Sequence, residues 1–341
     1  MAEDLPIVSI VIPTLNASRT LEACLASIQA QDYPPERMEL IVVDGGSTDG
    51  TVEVARRFGV RVVPNPLKTG EAGKAVGVQL AHGELIALID SDNILPQEDW
   101  LRQMVTPFAD PEIVGTEPLS YTWQREDGLI TRYCALLGMN DPLCLFLGNY
   151  DRFCALTQRW TEMPVQEEDC GGYLKVTLSP RHLPTMGANG FIIRRSELVR
   201  CGIGDYLFDI DVVYALSQEG HTTYAKVKLG IVHLFAGDWR TFVHKQRRRV
   251  RDYLYFKSQA KRRYPWGTLD RRRLLKFIVY CVAGFPLLAQ SVAGYLRHPD
   301  IAWFFHPLAC WTTLGVYGMG AAQGLLGVKS ENRAHWRQAT G

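Results

Sequence analysis

Acidic side chains recur at a few defined places in this chain of 341 residues. In ALIDSDNILP (87–96) an apolar run climbs to Asp90, passes Ser91 to Asp92, and turns away through Asn93 and Pro96. Asp, Ser, Asn and Pro are ordinary turn residues, so a surface turn is one reading. The other is a divalent-cation site, because two hard oxygen donors leaving a buried strand suit such an ion. Asp209 and Asp211 open the helical pattern YLFDIDVVYALSQEGH (206–221), where the helix N-terminus favours their charged forms and plain capping is the bland alternative. Asp44 closes ELIVVD (39–44), Lys74 ends TGEAGK (69–74), and His233 ends the strand-like YAKVKLGIVH (224–233). Taken singly, each is weak: D-x-D is a loose pattern, a lone lysine is usually a surface residue, and a histidine after a strand is more often structural.

The elements that must position these groups are readable in the first 110 residues. Strand-like runs at 8–13, 39–44, 60–65 and 84–90 alternate with helical patterns at 18–31, 48–58, 71–82 and 97–108. Continuous Val/Ile/Leu runs separated by amphipathic helices predict an α/β fold, a mostly parallel sheet with helices on both faces. Ligands bind such sheets beyond the carboxyl ends of the strands. Those ends read P-T-L-N, D-G-G-S-T-D and D-S-D-N, so polar residues gather at one edge three times. From about 115 to 185 the pattern loosens. The segment 129–160 is rich in apolar and aromatic residues, and two readings stand: a buried helical insertion, or an amphipathic surface docking on lipid. Order returns with PTMGANGFIIRRSEL (184–198).

The formal net charge of +1 is unevenly spread. From Arg240 to Lys276, fourteen Lys/Arg face two aspartates, a local net of +12 that leaves −11 on the rest. A basic belt on an acidic body predicts an anionic surface or ligand there. Eight scattered cysteines show no C-x-x-C pair and read as reduced thiols of a cytoplasmic domain. MAEDLPIVSIVIP reads as a first strand and not as a signal peptide.

Two carboxyl-terminal stretches differ in kind. Residues 275–296 carry one charge, Lys276, and 301–328 carry none with histidine neutral. Each exceeds the ~20 residues that cross a bilayer core. With RHPD (297–300) as the connection, they predict a two-helix membrane hairpin, shallow re-entrant insertion being the alternative that Pro286 and Pro307 favour. Arg271, Arg272, Arg273 and Lys276 on one side, and Lys329, Arg333 and Arg337 on the other, put both ends in the cytoplasm. The expected division is a catalytic domain over 1–252, a basic juxtamembrane segment over 253–274, the hairpin over 275–328 and a cytoplasmic tail over 329–341.

The motifs IVIPTLNASRTLEACLASI, ELIVVDGGSTDGT, GKAVGVQLAHGELIALIDSDNILP, GANGFIIRR, the FDID helix start and IVH before QRRR cover roughly residues 6–252. As an ordered set they resemble glycosyltransferase family 2, the inverting GT-A enzymes. The resemblance implies that Pro13 and Thr14 border the nucleoside and that Asp44 accepts a hydrogen bond from the base, a task for an acceptor-only side chain. Many relatives carry a second aspartate at Gly45, so only Asp44 carries over. Lys74 matches a basic residue near the nucleotide. Asp92 matches the direct ligand of a Mg²⁺ or Mn²⁺ ion, with Asp90 nearer the ribose or a bound water, and His233 a further ligand. Asp209 matches the catalytic base, with Asp211 second, although Phe208 replaces the glutamate usual before it. GANGF (187–191), with Gly187 and Asn189, resembles the acceptor loop near the sugar. Arg249, with Arg247, Arg248 and Arg251, is expected either to clamp phosphate or to touch anionic lipid head groups. Val250 stands where processive synthases keep tryptophan, which argues against a processive polymerase.

The implied function is transfer of a sugar from a nucleotide-diphospho-sugar, UDP-linked, to a lipid-linked acceptor at the cytoplasmic membrane face, within cell-envelope polysaccharide assembly. The acceptor is either a polyprenyl phosphate or a lipid-linked saccharide; a non-lipid acceptor is the runner-up. Membrane lipids are expected partners, and nucleic acid is not. A catalytically inactive membrane scaffold is disfavoured by the intact carboxylates at 44, 90, 92 and 209. A nucleotidyltransferase is disfavoured because PTLNASRT (13–20) lacks a basic glycine-rich loop after the first strand.

Overall fold

The computed structural model describes residues 5–258, 262–265 and 270–325. The tail from 329, with Lys329, Arg333 and Arg337, and the end of the second expected span lie outside the described residues, as does part of the juxtamembrane segment.

The chain alternates as the apolar periodicity predicts: β1 (Val8–Thr14), α1 (Ser18–Gln29), β2 (Met38–Asp44), α2 (Thr51–Arg57), β3 (Arg61–Pro64), α3 (Gly70–Leu80), β4 (Leu85–Leu88). Then come β5 (Asn93–Ile94), α4 (Trp100–Val105), β6 (Gly115–Thr122), α5 (Leu129–Leu137), α6 (Pro142–Leu147), β7 (Gln166–Asp169), β8 (Tyr173–Thr177) and β9 (Phe191–Arg194). The remainder is helical apart from one strand: α7 (Arg195–Arg200), α8 (Asp209–Gln218), β10 (Thr223–His233), α9 (Trp239–Ser258), α10 (Arg271–Ala283), α11 (Phe285–Arg297) and α12 (His306–Leu325).

Among the described residues the strands form one ten-stranded mixed sheet, ordered β3-β2-β1-β4-β9-β6-β10-β8-β7, with β5 on β10. β3, β2, β1 and β4 run parallel, in a register that sets Thr14 beside Asp44. Every residue of β1 is buried. Since successive side chains point to opposite faces, both faces of that strand are covered. β9 joins antiparallel to β4, bringing the loop before Phe191 to the strand end that precedes Asp90. The parallel part was legible from the Val/Ile/Leu runs, and the antiparallel continuation was not.

The chain divides into two compact units. Of the described residues, the first takes those up to Leu119 and Pro164–Val232, and the second takes Ser120–Met163 and those from His233 to Leu325. In the second, α5 and α6 supply Ile130, Tyr133, Leu136, Leu137 and Phe146 to an apolar core with Phe242, Phe277 and Trp303. Segment 129–160 is therefore the buried helical insertion, not a lipid-facing surface.

The expected straight span over 275–296 requires correction. It is two helices that meet at 95°, and no single described helix is long and apolar enough to cross a membrane. Gly284 takes a φ of +73°, a left-handed conformation that a continuing helix excludes. Pro286 then occupies the first turn of α11, where its missing N–H costs nothing.

Candidate active site

All the groups that meet at the carboxyl edge of the parallel strands belong to the first unit. α3 brings Lys74 there. Thr69 caps α3 by accepting from the Ala72 N–H, and the helix lies so close to β1 that a Cβ on Gly73 would stand 2.8 Å from Pro13 Cβ. A larger residue at 73 would push the helix off the strand and Lys74 with it. The backbone N–H of Leu207 donates to Glu71 O at 2.9 Å, which ties the start of α8 to the start of α3. As a result Asp209, the first residue of α8, faces Lys74. The Lys74 Nζ donates to Asp209 Oδ1 at 2.9 Å and to Oδ2 at 2.8 Å. The same ammonium lies 3.8 Å from Asp90 Oδ1.

This cluster is electrostatically loaded. The Lys74 side chain is 6% exposed and that of Asp209 21%. Burial opposes the lysine's charge, yet Asp209 and Asp90 outweigh it and raise its pKa above the usual lysine range. For Asp209, burial raises the pKa, Lys74 pulls it down, and Asp90 raises it again; the result is about 6, against 3.8 ordinarily. Asp209 is thus a carboxylate poised near neutrality. Asp211 lies two residues on, about 200° around the helix, and is buried. Phe208 precedes them at the N-cap and provides no side-chain cap.

Asp90 and Asp92 leave β4 through a turn built by Asn93. The Asn93 Oδ1 accepts from the Asp90 N–H at 2.9 Å, and the Asn93 N–H donates back to Asp90 O at 2.9 Å. The Asn93 side-chain amide also donates to Asn189 Oδ1 at 3.1 Å, so one fully buried asparagine joins the D-S-D turn to the GANG loop. Burial, then the charges of Asp92 and Asp90, hold the neighbouring Cys24 thiol well above its usual range, so both carboxylates act on one region. Two carboxylates offer the hard oxygens that a Mg²⁺ ion takes from protein while substrate phosphates and water complete its shell, so this donor set fits the expected ion. Among the described residues no group of three or more His, Cys, Asp or Glu side chains is placed to hold a metal unaided.

The GANG loop is set from below. Gly187 has a φ of +115°, and a Cβ there would fall 2.7 Å from Asp209 Cβ, so only glycine lets the loop pass the aspartate. The Gly187 N–H donates to Glu117 Oε1 at 3.0 Å. The other Glu117 oxygen accepts from Lys226 Nζ at 2.7 Å, and both side chains are fully buried. Asn189 is buried at a φ of +52°, tolerable for asparagine.

Asp44 is engaged differently. Its Oδ2 accepts from the Gly46 and Ser47 N–H groups at 2.8 and 2.9 Å. Its Oδ1 accepts from the Thr14 hydroxyl at 3.2 Å and the Ser47 hydroxyl at 2.5 Å. A carboxylate has about four acceptor sites, and here all are taken by β1 and the Asp44 loop itself. Pro13, the residue before Thr14 on β1, lies under α3 at Gly73.

Two predicted residues belong to the second unit. His233 ends β10; its Nδ1 lies 3.2 Å from the Asn140 side-chain amide, and its ring stands 5.7 Å from that of Tyr121. Arg249, on α9, donates to Gln246 Oε1 at 2.8 Å and lies 3.4 Å from Asp141. The structure therefore brings together Lys74, Asp90 and Asp209, with Gly187 against Asp209 and Asn189 linked through Asn93. Asn93, Glu117 and Lys226 escaped the sequence reading. Asn93 had passed for a turn residue, while a lone charge inside each of the strands GTEPLSYT and TYAKVKLGIVH was the available signal for the other two.

Residues 9–142 match the family model described as glycosyl transferase family 2. Glycosyltransferase AglE of Haloferax volcanii is 29% identical over 147 residues, covering 41% of this chain and 48% of that protein. Glycosyltransferase GlyG of Streptococcus pneumoniae is 32% identical over 130 residues, covering 36% of this chain and 42% of that protein. The chain thus spans about half the length of the curated relatives it matches. Among solved structures, the mannosyltransferase PcManGT of Pyrobaculum calidifontis, in complex with GDP-Man and Mn²⁺, superposes with a TM-score of 0.54 at 18% identity, over 96% of this chain and 89% of that one. Residues 9–142, about two-fifths of the chain, are thus similar to family 2 glycosyltransferases, and the chain has a GT-A-like α/β fold.

Proposed function

We propose that this chain is an inverting, metal-dependent glycosyltransferase. In this reading it moves a sugar from a nucleoside-diphospho-sugar, UDP-linked, to a hydroxyl of a lipid-linked saccharide, at the cytoplasmic face of a membrane. One observation carries it: Asp209, its pKa lifted to about 6, shares the Lys74 ammonium with Asp90 of the D-S-D turn, and Lys74 and Asp90 lie in the stretch that matches family 2.

The chemistry follows from that arrangement. The acceptor hydroxyl attacks the anomeric carbon from the face opposite the leaving diphosphate, and Asp209 takes its proton through one of the two carboxylate oxygens that Lys74 also holds. A base whose pKa lies just below the working pH is mostly ionised yet still a competent proton acceptor, an effect worth about 10²–10⁴-fold in rate. Lys74 keeps Asp209 oriented and ionised, and substrate must share or displace one of its two bonds. Gly187 presents backbone close to Asp209, and Asn189 is tied to the D-S-D turn through Asn93, which suits an acceptor sugar approaching along the GANG loop. When held by Asp92 and Asp90, a divalent cation supplies neutralising charge at the departing diphosphate; PcManGT, of similar fold, is described with Mn²⁺ and GDP-Man. For His233 and Arg249, both in the second unit, the ligand and phosphate roles rest on the family resemblance alone. Asp44 is the proposed contact to the base, and a base N–H would replace the Ser47 hydroxyl on Oδ1.

A polyprenyl phosphate is the second acceptor reading: its oxygen is already anionic and scarcely needs a base. Asp209→Asn separates the two, since loss of about 10²-fold or more is expected only with a hydroxyl acceptor. The reading as a whole is tested by thermal-shift measurements with UDP, GDP, CDP and TDP, with and without Mn²⁺. A stabilisation that needs both nucleotide and metal is expected. None with any pair, together with no sugar transfer from the corresponding donors, would overturn it.

A further inference from the structure

We infer that the second unit docks in the plane of an anionic bilayer surface through the outward faces of α10 and α11 and the chain that follows them, without crossing it. The inference rests on the membrane reading above and gives that reading a face and a mode.

The pattern of burial on these helices is the first observation. α10 turns Phe277 and Cys281 inward, and α11 turns Leu287, Ser291 and Gly294 inward. A helix on the surface of a water-soluble unit would place polar residues opposite. Here the opposite positions are apolar too: Leu275 is 60% exposed, Val282 80%, Phe285 73% and Leu296 75%, and Ile301 and Phe304 continue the surface. Among the described residues, fourteen of the eighteen large hydrophobic side chains left exposed lie between Leu275 and Met319. Scattered exposed apolar residues carry no meaning, but such a concentration marks an interaction surface.

Charge selects the occupant. Arg271, Arg272, Lys276 and Arg297 are exposed on α10 and α11. From Arg271 to Leu325 the one acidic residue is Asp300. Its side chain is 14% exposed, held by Arg132 at 3.1 Å, and caps the Ala302 N–H at 2.8 Å. Asp270, which caps α10, and Glu162 lie 3.6 and 3.8 Å from Arg273, so the exposed Arg271, Arg272, Lys276 and Arg297 leave the face net positive. A second copy of this chain packed on it would set arginine against arginine, whereas anionic head groups supply the missing charge.

Length and shape select the mode. α10 and α11 have 13 residues each, about 20 Å at 1.5 Å per residue, against a hydrocarbon core of ~30 Å. The 95° bend at Gly284 prevents them from acting as one rod. Short helices with an apolar outer stripe and basic flanks lie in the interface.

The test uses the full chain with vesicles of phosphatidylcholine alone and of phosphatidylcholine mixed with phosphatidylglycerol. Flotation with the mixed vesicles is expected, weakened by salt, at least about tenfold tighter than with phosphatidylcholine. Val282→Glu with Leu296→Glu, both at exposed positions, should abolish flotation with melting temperature unchanged. Arg271→Glu with Arg272→Glu should remove the preference for phosphatidylglycerol. The wild-type chain should wash off with alkaline carbonate. Retention through that wash would overturn in-plane docking in favour of a span. A dimer that the Val282→Glu/Leu296→Glu pair disperses, without flotation, would overturn the lipid assignment. Failure of the wild-type chain to float on the mixed vesicles, with its nucleotide-dependent thermal shift intact, sinks the docking alone; flotation by a wild-type chain that binds no nucleotide sinks the transferase reading alone.

Discussion

Replacing Lys74 by Met removes the one ammonium shown bridging Asp209 and Asp90 and keeps the length of the chain. In the native site Asp209 has a pKa of about 6, with burial and Asp90 pushing it up and Lys74 pulling it down. A hydrogen bond to a charged group is worth about 1.5–3 kcal/mol, and one pH unit corresponds to about 1.36 kcal/mol. Because water reaches the 21% of the Asp209 side chain that is exposed, the lower part of that range applies. The pKa of Asp209 should therefore rise by about one to two units in the variant. A base works only when ionised, so activity is lost as pH falls through that pKa, and the acid limb of kcat/KM moves up with it. At pH 7 the ionised fraction should drop from about nine-tenths to between about one half and one tenth. The assay is sugar transfer against pH, with Lys74→Arg as the control that keeps a cation and leaves the limb near its native position. If Lys74→Met lowers the rate while the acid limb stays at about pH 6, Lys74 does not govern Asp209 and the assignment of the base fails.

Three further outcomes are expected. Gly187→Ala places a Cβ 2.7 Å from Asp209 Cβ at a φ of +115°, so kcat should fall and stability should drop by about 1–3 kcal/mol, read by transfer kinetics and thermal melting. Glu117→Gln leaves Lys226 charged in a fully buried site at a cost of about 3–5 kcal/mol, and the melting temperature should fall by several degrees; adding Lys226→Met should restore most of it. Asp92→Asn should erase the Mn²⁺-dependent part of the nucleotide thermal shift and leave the melting temperature of the free protein unchanged.

The parallel half of the sheet was readable because strands buried on both faces are near-continuous apolar runs: β4 is apolar throughout, β1 but for Ser9 and Thr14, and β2 from Leu40 to Val43. Strand ends were readable for the same reason: the first polar residues after each apolar run are the ones that leave the core, and Asp44 and Asp90 do so. What pairs with what across the edge was not readable. Lys74 lies 135 positions before Asp209, and only the close approach of α3 to β1 and the Leu207–Glu71 bond bring them together. Lys74 had been expected at the nucleotide, and it sits on the proposed base. Asn93 was invisible as a connector because its turn-forming role already explained it. At the carboxyl end Pro286 already favoured a break in the apolar stretch, whereas the left-handed φ of Gly284 that sets the 95° bend was not legible from composition.

Lys74 also explains how these carboxylates can stand together at one strand edge. Asp90 and Asp209 lie within 3.8 Å of one ammonium, and Asp92 is two residues from Asp90. Without Lys74 they would repel one another at a partly buried edge. One lysine on a glycine-seated helix resolves that conflict and, by the same contact, restrains the group proposed to take the acceptor's proton. Asp44 shows the matching economy at the other strand end: its four acceptor sites are satisfied by Thr14, Gly46 and Ser47, so the edge is already closed without a ligand. A ligand at this edge therefore acts by exchange, replacing a hydroxyl on Asp44 or an ammonium contact on Asp209. Binding should accordingly be weaker than its contact list suggests, and removing the competing internal partner should change ligand affinity more than it changes stability.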